Sequence, residues 1–128
     1  MATTYKLDSS LRTVFSTSHG VLTGDDLLAH REKLVRDPDV DLDHRQLWDF
    51  RGVIEVAVSR KDLVELLESK SPFGQGSRRA FVAASDVDYG KLKMIQLLRG
   101  TCAGEIMVFR DIHEARRWLE VPDEPIRI

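Results

Sequence analysis

Gln46-Leu47-Trp48-Asp49-Phe50-Arg51-Gly52-Val53 is the most informative stretch of this 128-residue chain. Leu47, Trp48 and Phe50 supply the large apolar side chains of a buried strand, which reads from Gln46 to Phe50. The strand ends among polar residues, Asp49, Arg51 and Gly52, and a helix starts again near Ser59. In open α/β sheets, ligands and partners meet the chain just beyond the carboxyl ends of strands, so this end is the expected working surface. Asp49 and Arg51 lie two apart and share a face on a continuing strand, where they can orient a polar group through charge-assisted bonds or pin the loop to a neighbouring helix. Trp48 and Phe50 turn the other way, into the core.

On the amino-terminal side, Tyr5 to Asp8 is a short extended piece, Ser9-Ser10 turns the chain, and Leu11 to Ser18 alternates with period two. These predict a hairpin. Gly20-Val21-Leu22-Thr23 leads into a helix capped by Thr23, with Asp25 and Asp26 near the positive end of its dipole. Its buried face carries Leu27, Leu28, Arg31, Leu34 and Val35, and Asp37-Pro38 stops it. On the carboxyl-terminal side, Ser59-Arg60-Lys61-Asp62 is a partial capping box before a helix striped by Leu63, Leu66 and Leu67. Ser71 to Ser77, with Pro72, Gly74 and Gly76, is a loop. Arg79 to Ala84 is a short buried strand. Asp86 to Arg99 is a helix capped by Asp86, with Leu92, Ile95 and Leu98 aligned and Gly100 at its end. Glu105 to Phe109 is the last strand, and Asp111 caps a final helix whose inner face is Ile112, Ala115, Trp118 and Leu119. The order is β-β-α-β-α-β-α-β-α. That alternation predicts an α/β fold, a mixed, mostly parallel five-stranded sheet with four helices, formed by residues 1–128 as a single domain.

Nineteen basic against twenty-one acidic residues give a net charge of −2, without the basic surplus of nucleic-acid binders or of polybasic membrane anchors. No run approaches the roughly 18 apolar residues of a membrane span. Met1 to Lys6 lacks an apolar signal core, and the lone Cys102 cannot form an internal disulfide, so a cytoplasmic location is expected. Cys102 reads as a small buried hydrophobe. The histidines His19, His30, His44 and His113 include no i, i+4 pair, and no metal or other cofactor is expected. His30 and His113 read as helix-surface residues.

Three stretches, Gly20-Val21-Leu22-Thr23-Gly24, Leu47 to Val53, and Val108-Phe109-Arg110-Asp111 with Glu114-Ala115 and Trp118-Leu119, resemble the SpoIIAA-like family of STAS-like fold, related to the anti-sigma factor antagonists. Arg78 to Ala83 and Tyr89-Gly90 add to the likeness. The resemblance implies a binding role rather than chemistry: the STAS antagonists bind a partner kinase and are switched by phosphorylation of a serine at the start of the helix after the third strand. The matching region here is Val56-Ala57-Val58-Ser59. Ala57, Val58 and Arg60 replace the other residues of that motif, and only Ser59 remains. Phosphorylation of Ser59 would be favoured by the helix dipole and by Arg60 and Lys61. Serine is equally a preferred N-cap without modification.

Val53, Ile54, Val56, Ala57 and Val58 make an unusually apolar connection. It either prolongs the strand or folds under the helix, or it forms an exposed patch for a partner. Phe73 to Arg79 sets glycines beside cations but precedes a strand, unlike a phosphate loop; Arg78 and Arg79 can line an anionic partner surface. Tyr89 can cover the edge of a pocket. The expectation is a non-catalytic regulatory module that docks a protein partner, with Val53, Ile54 and Val56 as the apolar contact, Asp49, Arg51, Ser59 and Arg60 around it, and the loop to Arg78 nearby. The alternative is a carrier of a lipid-like ligand between helices and sheet, walled by Tyr89, Met94 and Leu98. A homodimer through the hairpin edge or an exposed helix is compatible with either.

Overall fold

One five-stranded sheet runs in the order β1-β2-β3-β4-β5. A computed structural model describes residues 3–41, 43–68, 72–74, 76–99 and 105–122, leaving aside the side chains of Leu67, Leu98 and Arg99. The strands are β1 (Thr3–Asp8), β2 (Thr13–Thr23), β3 (Arg45–Ala57), β4 (Arg78–Val82) and β5 (Glu105–Phe109). The helices are α1 (Gly24–Arg36), α2 (Arg60–Glu68), α3 (Asp86–Arg99) and α4 (Ile112–Leu119). β1 pairs antiparallel with β2, and every later pairing is parallel. The element order and the mixed, mostly parallel sheet are those the alternation predicts. Gly100, expected at the end of α3, and Cys102, expected to be buried, lie outside the described residues.

Parallel strands laid down in sequence order, each reached by a right-handed crossover, bring their connecting helices to one face. That face carries the main core, in which Leu22, Leu27, Trp48, Phe50, Phe81 and Leu92 meet. α4 has no further strand to reach and covers the other face, where Ala115 and Leu119 pack on Leu47, Ala80 and Val82. Trp48 stacks on Phe50 with ring centroids 4.8 Å apart, and Phe81 meets both edge-on.

Thr23 caps α1 as expected: its Oγ1 accepts from the Asp26 N–H at 3.2 Å, and Asp26 Oδ2 accepts from the Thr23 N–H at 2.9 Å. Asp111 caps α4, accepting from the His113 N–H at 2.8 Å. The cap of α3 is Ser85 rather than Asp86, because Ser85 Oγ accepts from the Asp88 N–H at 3.1 Å. Asp86 sits inside the first turn and pairs with Arg110.

Two strands outrun their expected ends. β2 continues through Gly20-Val21-Leu22 to Thr23, and β3 through the apolar connection to Ala57. Two register shifts between them, at Thr17/His19 and at Gly20/Val21, each add one residue to β3. A bulge breaks strict alternation. The inward set of β3 therefore runs Phe50, Val53, Val56 in steps of three, and Val53 and Val56 are buried while Ile54 is 81% exposed.

His30 is also inside, at 3% exposure, against the expectation of a surface residue. The buried stripe of α1 is Leu27, His30, Arg31 and Leu34, and Val35 faces outward. Ser16 Oγ lies 2.9 Å from His30 Nε2, Gln46 Nε2 donates to Ser16 Oγ at 3.0 Å, and Trp48 stands edge-on to the imidazole. Burial, with Lys33 adding its charge, pushes the His30 pKa down to about 4. His113 is on the helix surface, as expected.

Candidate functional site

Beyond the end of β3 the helices α2 and α3 stand apart. α2 leans on α1, and α3 lies on β5 and β3. The gap between them is an open cleft of about 650 Å³. Val56, Val58, Leu63, Met94 and Ile95 make it apolar, and Ser59, Arg60 and Lys91 add polar groups. Lys91 Nζ donates to the Val56 carbonyl at 2.9 Å, tying α3 to the end of β3.

Ser59 closes a capping box on α2. Its Oγ accepts from the Asp62 N–H at 3.1 Å, and an Asp62 carboxylate oxygen accepts from the Ser59 N–H at 2.9 Å. Those hydrogen bonds, with the charge of Lys61, hold the Asp62 carboxyl below the usual carboxylate range. Aspartate thus serves in the place where glutamate is usual. The amino ends of α1 and α2 touch here: a Cβ on Gly24 would lie 2.2 Å from Asp62 Cγ.

Asp49 and Arg51 do pair. Arg51 Nε and Nη2 each donate to the Asp49 carboxylate at 2.9 Å, as does the Arg51 N–H. Burial pushes the Asp49 carboxyl up, but the hydrogen bonds and charge of Arg51, with the charge of Arg116, outweigh it and hold the pKa below the usual value. Because Trp48 and Phe50 point to the α1–α3 side, Asp49 points to the α4 side. The pair and the cleft therefore occupy opposite faces of the sheet.

The structure brings Ser59, Arg60, Met94 and Val56 together and separates the rest of the expected site. Val53 and Val56 cannot supply an exposed apolar contact, since the bulges turn them inward; Val56 only floors the cleft. Ile54 alone of the three is exposed. Arg79 pairs in register with Gln46, which puts Arg78 at the amino end of the sheet, away from the cleft. There Arg78 lies over the Trp118 ring at 5.4 Å and donates to the Trp118 carbonyl at 3.0 Å. Arg79 is buried against Phe73 instead of lining a surface. Tyr89 is two residues before Lys91, about 200° away around α3, so it packs on the core and does not wall the cleft. Leu98 has its side chain outside the described set. Among the described residues no group of three His, Cys, Asp or Glu gathers to hold a metal ion.

Leu63 reads in the sequence only as part of the buried stripe of α2, and Lys91 is not singled out there. The signal for Lys91 is a second stripe on α3, Val87, Lys91 and Met94 at i, i+4 and i+7, beside the core stripe of Leu92 and Ile95. Met94 is 58% exposed and Leu97 75%. The interior between α1–α3 and the sheet, by contrast, has room for only about 30 Å³ beside His30, Gln46 and Phe73. No described helix is long and apolar enough to cross a membrane.

No protein-family model matches the chain, and neither does any curated protein. Among solved structures, it is similar to an uncharacterised protein of the DUF3478 family with a SpoIIAA-like fold from Shewanella loihica PV-4. The TM-score is 0.59 at 17% identity, over 92% of this chain and 94% of that one. The fold is SpoIIAA-like.

Proposed function

We propose that this SpoIIAA-like domain is a non-catalytic regulatory module that docks a protein partner in the cleft between α2 and α3. The observation that carries the reading is the open apolar cleft of about 650 Å³ at the carboxyl end of β3, with half-exposed Met94 on its wall. Crevices beyond strand ends are where open α/β sheets bind. Apolar side chains left in water at such a place favour a partner that covers them. The carrier reading is less well supported, because an enclosed small-molecule site takes roughly 300 Å³ or more. The interior room of about 30 Å³ is that of a water molecule.

A photo-crosslinking residue at Met94, with a control at Lys6 on the exposed side of β1, tests the reading in cells of the native host. Protein adducts formed from position 94 and absent from position 6 are the expected result. Equal labelling at both positions, or no adduct from position 94, overturns it.

A further inference from the structure

Resting on the docking reading, we infer that the cleft accepts an acidic, apolar segment of its protein partner. The chain as a whole is slightly acidic, with twenty-one acidic against nineteen basic residues. The cleft departs from that average: Arg60 and Lys91 are its charged residues, and no carboxylate lines it among the described residues. Arg60 projects from the first turn of α2 and is exposed, with no carboxylate partner among the described residues. Among the described residues Lys91 makes one hydrogen bond, to the Val56 carbonyl, which anchors it. An ammonium carries three donors, so two N–H bonds remain for an acceptor, and the anchor spares part of the ordering cost of binding one.

Val58, Leu63, Met94 and Ile95 supply the apolar floor and walls between these cations. The matching ligand is apolar with carboxylates at its flanks. A small amphipathic anion has the same chemistry, but the cleft is open along its side. Apolar surface also continues past the rim, through Leu97 at 75% exposure and Val64 at 46%. A polypeptide segment covers cleft and rim together, whereas an acyl chain would leave its length in water.

The test uses the full chain and two helix-forming peptides that share one leucine stripe, flanked by glutamates in one and by lysines in the other, with sodium oleate as a third probe. Fluorescence anisotropy reads affinity, and amide chemical shifts of Val58, Leu63 and Met94 read location. The glutamate peptide is expected to bind in the cleft about tenfold more tightly than the lysine peptide at low salt, with the gap closing as salt rises. Arg60→Glu, at an exposed side chain with no ion pair among the described residues, is expected to erase most of that preference. Adding Lys91→Glu is expected to reverse it. Equal or tighter binding of the lysine peptide, cleft shifts with oleate but with neither peptide, or adducts from position 94 that join two copies of this chain each overturn the acidic-segment inference. If position 94 captures another protein while the glutamate peptide fails to bind, this inference falls and the docking reading stands. If position 94 captures nothing, both fall.

Discussion

His30 shows how one buried polar side chain can set a pH limit. Its folded pKa of about 4 lies below the ordinary 6.5. The unfolded chain therefore binds more protons between those values, so the contribution of neutral His30 is complete above pH 6.5 and is lost as pH falls toward 4. The loss over that window is up to about 3 kcal/mol, the energy equivalent of the shift. Urea unfolding at pH 7 and pH 4.5 is expected to show a smaller pH-dependent loss in His30→Gln than in the parent; identical losses would contradict the assignment. Asp49 does not confuse this window, because its depressed pKa delays its loss until more acid conditions. Nothing in the periodicity of α1 distinguished His30 from a surface histidine, since Leu28 and Val35 offered an equally apolar neighbouring stripe. Ser59 was legible as a cap, and the cap sharpens the question of its modification. Ser59→Ala is expected to cost about 1 kcal/mol, while Ser59→Asp keeps a good N-cap and stays within roughly half of that. A change in partner binding with Ser59→Asp would then report charge rather than an unravelled helix.

The bulged half of β3 is where sequence and structure part most clearly. A period-two strand beyond Phe50 would bury Gly52 and Ile54; the observed shifts bury Val53 and Val56. Bulges leave no dependable mark in a single sequence, because the extra residues are ordinary ones and the partner strand sets their position. The run Val53 to Val58 was therefore recognisable as apolar but could not be assigned to an edge, a floor or a patch. Alanine substitutions separate these. Val53→Ala and Val56→Ala are expected to destabilise by about 1–3 kcal/mol each, and Ile54→Ala to stay within about 0.5 kcal/mol, by chemical denaturation. A large effect at Ile54 with small ones at both valines would restore the unbulged register. Gly24 is a second element-level constraint. A methyl there meets Asp62 Cβ and Cγ, so α1 and α2 must part or the capping box must open. Gly24→Ala is expected to cost about 1–3 kcal/mol, as overpacked sites do.

Alternation of strand and helix made the whole architecture legible, because each crossover can reach its neighbouring parallel strand in only one hand. The division of labour between the two faces was not. It depends on α4 closing the far side and on α2 finding a support other than the sheet, and neither follows from periodicity. α2 leans mainly on α1, burying Leu66, and Arg31 Nη1 of α1 donates to the Leu66 carbonyl at 2.9 Å. Val64 on α2 and Met94 on the facing wall of the cleft remain in water. Elements with few buried contacts open locally, below the free energy of global unfolding. Native-state hydrogen exchange is therefore expected to rank α2 well below β3 and β4, in which Leu47 and Trp48, and Ala80, Phe81 and Val82, are buried on both faces of the sheet. A partner seated between α2 and α3 binds only the closed form and so must slow exchange in α2 by the ratio of its concentration to its dissociation constant. A glutamate-flanked peptide that binds the cleft should thus protect the amides of Leu63 to Leu66, and those of Trp48 and Phe81, which exchange through a global unfolding that also releases the peptide, should slow by the same factor; unchanged exchange at Leu63 to Leu66 would contradict binding between α2 and α3. If α2 already exchanges only with global unfolding, the cleft is a rigid surface feature, and its walls cannot adjust to an occupant.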